Sequence, residues 1–276
     1  MAIYKIGNRA FDFHFAFVMG ILNVTPDSFS DGGLYENKKS AVAHAIKMID
    51  EGADIVDIGG ESTRPGSEPV SEDEEMRRVI PVIKEILALK PDAIISVDTT
   101  KSNVARKALE NGAVIVNDIS GGTFDPKIFD VVSQSNASMV LMHIKGKPKT
   151  MQDLPEYSDV VSEVYDFLAS QACIAAEKGI EKIIVDPGIG FGKKLEHNLA
   201  LIERVEYFKS LSFPILIGLS RKSFIGNILD LPVEERDDAT NALNSYVISK
   251  GVRIVRTHNV KQAVETCKLF NRIISN

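Results

Sequence analysis

The chain has 276 residues, 44% hydrophobic and 25% charged, with 19 Gly, 11 Pro and a formal net charge of −6. That composition excludes a disordered chain, a coiled coil and a collagen-like fibre. The acidic balance argues against a nucleic-acid or membrane-surface partner.

In chain order, residues 3–12 read as a small hairpin turning at Gly7-Asn8 and covering the bottom of the main fold. The apolar stretch 11–24 is broken by Asp12 and His14 and lacks a small-residue cleavage site. No uninterrupted apolar run approaches the roughly 20 residues of a membrane span. Short apolar, β-rich runs recur at 15–22, 53–58, 93–97, 113–116, 138–142, 182–185, 214–219 and 252–255. They are continuous rather than alternating, as strands buried on both faces should be.

Helical periodicity fills the intervals at 40–51, beyond Ser71, and at 102–111, 126–135, 160–178, 195–211, 238–250 and 260–274. Ser71 with Glu74 reads as a capping box, and Pro81 predicts a kink or an early break in that helix. Gly52, Gly112, Gly179 and Gly251 fall where helices should stop. Eight strand–helix units in strict order predict one domain over 1–276: a single (β/α)8 TIM barrel with a short N-terminal β-hairpin. Cys173 and Cys267 show neither a disulfide framework nor a metal-type spacing. Both read as small, buried or half-buried helix residues of a protein in the reducing cytoplasm.

In such a barrel the segments just past the strand C-termini converge on one rim. All eight deliver hydrogen-bonding side chains there: Asn23, the segment 61–64, Asp98, Asn117, His143, Asp186, the segment 220–223, and Arg256 with His258. One aspartate in such a place is no more than a helix cap. Lys222, Arg256 and His258, however, are wrong for N-terminal caps, and two cations there oppose the helix dipole unless an anion meets them.

Asp98, Asn117 and Asp186 form an acceptor-rich set suited to a flat nitrogen heterocycle presenting paired N–H donors, with Lys222 donating to a ring carbonyl. A two-metal centre is discounted, because only neutral Asn117 accompanies the aspartates and His143 has no second ligand at short spacing. Arg256, His258, Asn23 and Arg64 oppose the net charge and suggest phosphate or diphosphate, with Asn23 able to hold a bridging Mg2+.

Gly188-Ile-Gly190-Phe-Gly192 lacks the dinucleotide spacing, and 218–222 has Lys where a nucleophile elbow needs Gly. A Schiff-base role for Lys222 gives way to polar donation, because Lys222 lies in a loop beside Arg221. The Gly-rich segments 31–33 and 59–60 are placed to close over substrate.

The loop Asn-Val-Thr-Pro-Asp-Ser-Phe-Ser-Asp-Gly-Gly (23–33) and the segment Gly-Glu-Ser-Thr-Arg-Pro-Gly (60–66) resemble the two signature motifs of the dihydropteroate synthase family. Segments 96–99, 117–122, 186–193, 220–224 and 256–259 are also similar, in order, along nearly the whole chain. The resemblance implies condensation of (7,8-dihydropterin-6-yl)methyl diphosphate with 4-aminobenzoate, giving 7,8-dihydropteroate and diphosphate in folate biosynthesis.

It further implies that Asp98, Asn117, Asp186 and Lys222 bind the pterin, with Met142 against its face. Asn23, Thr63, Arg64, Arg256 and His258 are implied at the diphosphate, with Mg2+ on Asn23. Phe29, Thr63, Arg64, Pro65, Phe191 and Ser223 are implied at the aminobenzoate. Asp98, Asp186, Lys222, Arg256 and His258 would carry the chemistry, and a homodimer is expected. Thr257 and Asn259 stand where the family pattern leads one to expect Val and Asp, and His143-Ile-Lys-Gly146 is slightly unusual. The loop at Phe191 shows no insertion, so a sulfonamide mimic of aminobenzoate should fit. Rival readings are a pterin-binding methyltransferase of the same barrel group and a non-catalytic pterin-binding barrel.

Overall fold

The computed structural model describes residues 2–25, 34–63, 66–151 and 155–275, with backbone alone at 34–37. Strands β1 (Ile3–Ile6) and β2 (Arg9–Asp12) pair antiparallel around Gly7, whose φ is +58°. Next come β3 (Phe17–Asn23), α1 (Leu34–Asp50), β4 (Ile55–Gly59), α2 (Glu72–Leu89), β5 (Ile95–Asp98), α3 (Ser102–Glu110), β6 (Ile115–Asp118), α4 (Lys127–Gln134) and β7 (Ser138–Met142). The second half continues with α5 (Val160–Glu177), β8 (Ile183–Asp186), α6 (Leu195–Glu203), β9 (Leu216–Ile217), α7 (Ser223–Leu229), α8 (Asp237–Ser249), β10 (Ile254–Thr257) and α9 (Val260–Ile274).

The eight strands after the hairpin are parallel, in the order β8-β7-β6-β5-β4-β3-β10-β9. A bridge from Val185 to Ile215 joins the two ends, so the sheet closes into a TIM barrel with helices outside.

Alternation along the strands separates two apolar clusters. Val18, Val56, Val97, Val116, Leu141, Val185 and Val255 pack outward against the helices. Phe17, Met19, Ile55, Ile115, Val140, Ile184, Leu216 and Ile254 pack inward, and the hairpin's Ile6 and Phe11, with Phe13 just beyond it, join them. Phe11 and Phe13 are essentially fully buried, a gain of about 1.5–3 kcal/mol for each such side chain. The hairpin plugs the barrel's lower end, as its turn predicts.

The predicted helix stops hold: Gly52, Gly112, Gly179 and Gly251 all adopt positive φ, from +85° to +114°. Four local expectations change. Helix α2 runs through Pro81 without the expected early break; buried Val79, Val82, Ile83 and Ile86 hold it in place despite the missing N–H. Its capping box is half made: Ser71 Oγ accepts from Glu74 N at 3.2 Å, but Glu74 turns outward to Arg78 at 2.8 Å. The helix expected over 195–211 ends at Glu203 and continues as a 3-10 helix, Val205–Leu211. Cys267 is buried as expected, whereas Cys173 is exposed.

Candidate active site

The strand alternation that sends Ile55 inward also sends Asp57 and Gly59 inward, and the neighbouring strands put polar residues in line with them. Asn23 pairs with Gly59, Gly59 with Asp98, and Asp98 with Asn117. These four consecutive strands therefore form one polar rung at the barrel's upper end. Gly59 contributes no side chain to it, and a Cβ there would lie 3.7 Å from both Asn23 Oδ1 and Asp98 Oδ2. The opening in the rung thus lies between the two groups expected to face phosphate and heterocycle. Asp186 stands opposite Met142 in the β7–β8 register, and Arg256 points inward from β10.

Arg256 is the hub. Its Nε donates to Asp57 Oδ2 at 2.6 Å and its Nη2 to Asp98 Oδ2 at 2.7 Å. Asn117 Nδ2 donates to the same Asp57 oxygen at 2.9 Å. Arg256 therefore meets the pterin-side acids, in addition to the diphosphate role expected of it, and among the described residues its Nη1 makes no hydrogen bond.

Burial pushes the Asp98 carboxyl up to about 7, against the pull of Arg256 and with Asp57 and Glu75 adding to the rise. Burial likewise raises Asp186 to about 6, opposed by the Gly188 N–H at 2.7 Å and by Lys222. Lys222 is pulled down to about 8 by burial, with Asp186 opposing the fall, and its Nζ sits 4.1 Å from the centre of the Phe191 ring. Burial thus brings two acids and a lysine on one rim to within about two units of neutrality, a pattern that clusters at functional sites.

At the cationic edge, Ser220 Oγ lies 2.9 Å from His258 Nδ1 and accepts from His258 N at 3.1 Å, fixing the imidazole. The two departures from the family pattern lie behind the rim and touch its supports: Thr257 Oγ1 donates to Ser220 Oγ at 3.5 Å, and Asn259 Nδ2 to Asp237 Oδ2 at 3.3 Å. Thr257 is buried on the outward face of β10, and Asn259 caps α9 through Gln262 N at 3.3 Å. Met142 is buried beside Ile119, Ile144 and Met151, with Phe191 packed against them. Thr63 is half-buried, and Ser223 is exposed at the start of α7. Phe29, Arg64, Pro65 and the segment 31–33 lie outside the described residues. Among the described residues no three His, Cys, Asp or Glu side chains group as metal ligands. A Mg2+ site there would draw on Asn23, the diphosphate oxygens and water.

Two residues at this site escaped sequence reasoning. Asp57 is fully buried, and its Oδ1 has no partner among the described residues; the signal was a carboxylate inside an apolar strand, in step with Gly59. Lys193, also buried, donates from Nζ to Gly188 O at 2.8 Å and Phe191 O at 3.0 Å and lies 2.9 Å from His143 Nδ1. It ties the loop carrying Phe191 to the end of β7. Burial lowers His143 to about 2, so the ring is neutral and can accept from the Lys193 amino group, whose own pKa burial pulls well below the usual lysine value.

The pterin binding enzyme family matches residues 19–258. The dihydropteroate synthase of Synechocystis is 48% identical over 272 residues, covering 97% of this chain and 94% of that one. The Yersinia pestis dihydropteroate synthase, solved with a sulfonamide drug, superposes with a TM-score of 0.92 at 38% identity, covering all of both chains. The Xanthomonas albilineans enzyme in complex with 7,8-dihydropteroate gives 0.89 at 36% identity, also with full coverage. With the polar rung, the paired aspartates and the cationic edge on one rim of a TIM barrel, the chain belongs to the dihydropteroate synthase family of pterin-binding enzymes.

Proposed function

We propose that the rim condenses (7,8-dihydropterin-6-yl)methyl diphosphate with 4-aminobenzoate, releasing diphosphate and 7,8-dihydropteroate. Asp186 and Lys222, beside one another above β8 and β9, match the N–H donors and carbonyl of the heterocycle. Asn117 offers its amide oxygen, since its nitrogen is engaged by Asp57. Met142 packs on the ring face.

As the methylene–oxygen bond breaks, positive charge grows on the methylene and ring. The ionised Asp98 and Asp186 stabilise it, while Arg256 Nη1 and His258 take up charge on the departing diphosphate. The amine nitrogen of aminobenzoate then bonds to the methylene and passes its proton to the diphosphate. No side chain acts as nucleophile or obligatory base. Asn23 would hold Mg2+, and the ion when bound would supply charge neutralisation at the diphosphate. Thr63, Phe191 and Ser223 contact the aminobenzoate, and the family resemblance assigns Phe29, Arg64 and Pro65 to the same substrate.

The observation that carries this reading is the single rim on which buried acids and an arginine–histidine edge meet across Arg256. The test is to mix the two substrates and measure both products. One diphosphate per dihydropteroate is expected. Binding without release would indicate a non-catalytic pterin barrel, and methyl transfer from a methylated folate would indicate a methyltransferase.

We also propose a homodimer in the cytoplasm. Leu229, Tyr246, Leu269 and Ile273, exposed on α7, α8 and α9, supply apolar surface for pairing, which light scattering of the purified protein checks. Two cysteines without a disulfide fit a reducing compartment.

A further inference from the structure

We propose that Lys101 is a positioning residue for the aminobenzoate half of the site, acting through Glu61 on the chain that carries Thr63; this rests on the synthase reading. Lys101 lies between β5 and α3, away from the rung, yet its Nζ donates at 2.5 Å to both Glu61 Oε2 and Glu75 Oε2. Glu75 belongs to the first turn of α2 and is 1% exposed, with Thr99 beside its carboxyl. A buried carboxylate bridged by one lysine is a poor source of stability, because desolvation offsets most of the attraction. What such a group supplies is register.

The register set here is that of the loop between β4 and α2. Glu61 Oε2 also accepts from Val70 N at 3.1 Å, so one carboxylate ties both described limbs of the loop together. Upstream, Gly60 is pressed on α2: a Cβ there would come 2.8 Å from Val79 Cγ1, and Arg78 Nη1 donates to Gly60 O at 2.8 Å. Further along, Gly66 N donates to Pro148 O at 3.2 Å. The chain leaves β4 against α2, is gripped at Glu61 by Lys101, and presents Thr63 two residues later. Lys101 touches none of the heterocycle-side groups directly, but it compensates Glu75, whose charge bears on Asp98; Glu61→Gln leaves that pairing intact, so loss of the grip alone should be felt by one substrate and not the other.

The test compares Lys101→Met, Lys101→Arg and Glu61→Gln with the unaltered protein. Glu61→Gln cuts the grip without stripping Glu75 of its counter-ion, so it reports even if Lys101→Met folds poorly. In Lys101→Met and Glu61→Gln, KM for 4-aminobenzoate should rise about tenfold, the weight of one charge-assisted hydrogen bond. The Kd of the pterin diphosphate should stay within about twofold in Glu61→Gln, and Lys101→Arg should recover most of the KM. In parallel, hydrogen exchange of the Val70 amide should quicken about tenfold in both, with amides in the middle of α2 unchanged. Equal losses for both substrates in Glu61→Gln, or an unmoved aminobenzoate KM, would overturn the proposal. If the unaltered protein releases no diphosphate, the synthase reading fails, and unchanged Val70 exchange in the variants would then refute the Glu61 grip independently.

Discussion

Replacing Asp98 by Asn tests the electrostatic core of the mechanism. The substitution keeps the shape and an acceptor oxygen for Arg256 Nη2, now 2.7 Å from Asp98 Oδ2, and removes only the charge. At an effective dielectric of about 20, a unit cation about 4 Å from a carboxylate gains about 4 kcal/mol. Arg256 already compensates part of the carboxylate, which brings the expected loss to about 2–3 kcal/mol, or about 30- to 150-fold in kcat. The bound pterin diphosphate carries no such cation, so its Kd should change by less than about threefold. Steady-state diphosphate release gives kcat, and ligand titration gives Kd. Equal losses in kcat and in affinity would refute charge stabilisation and leave Asp98 as a binding group alone.

The same burial sets the pH profile. Asp98 at about 7 and Asp186 at about 6 must both be ionised, so kcat/KM for the pterin diphosphate should fall as pH drops through 7 and steepen below 6. Lys222 at about 8 should set the alkaline limb, and Asp98→Asn should erase the step near 7. Because both carboxyl values are raised on folding, the folded chain binds protons more readily than the unfolded one. Their contribution to stability is therefore present below about pH 4 and lost as pH rises toward 7, which Tm against pH will show for the unaltered protein and less for Asp98→Asn.

Gly59→Ala places a methyl in ordinary contact, 3.5 Å from Asp98 Cβ and 3.7 Å from Asn23 Oδ1. Tm should hold while KM for the pterin diphosphate rises about tenfold through misplaced substrate. Gly188→Ala meets backbone instead, 1.9 Å from His143 O at φ +71°, and should cost at least about 2 kcal/mol in urea unfolding. A sulfonamide should compete with aminobenzoate and not with the pterin diphosphate in initial-rate kinetics; an unaffected rate at excess drug would contradict the proposed pocket.

The barrel was legible because strands buried on both faces leave continuous apolar runs, and because helix ends needing positive φ select glycine, as at Gly112 and Gly251. The rim was legible because parallel strands place their C-terminal residues on one layer, so Asn23, Asp98 and Asn117 could be aligned without coordinates. What stayed hidden depended on partners far away in sequence. Asp57 looks like an interruption of its strand until Arg256, 199 residues on, is seen against it. Lys193 lies in a loop of the sequence, and only the fold shows the carbonyls that hold its Nζ in the interior. Pro81 misled for the converse reason: local propensity argued for a break, and the apolar face of α2 outweighed it.

Where the first substrate lies decides most directly whether one rim carries the chemistry. A crystal of this protein soaked with (7,8-dihydropterin-6-yl)methyl diphosphate should show the heterocycle hydrogen-bonded to Asp98, Asn117, Asp186 and Lys222, and the diphosphate on Arg256, His258 and Asn23. A heterocycle bound elsewhere than on those acids, or a diphosphate held away from Arg256 and His258, would contradict it.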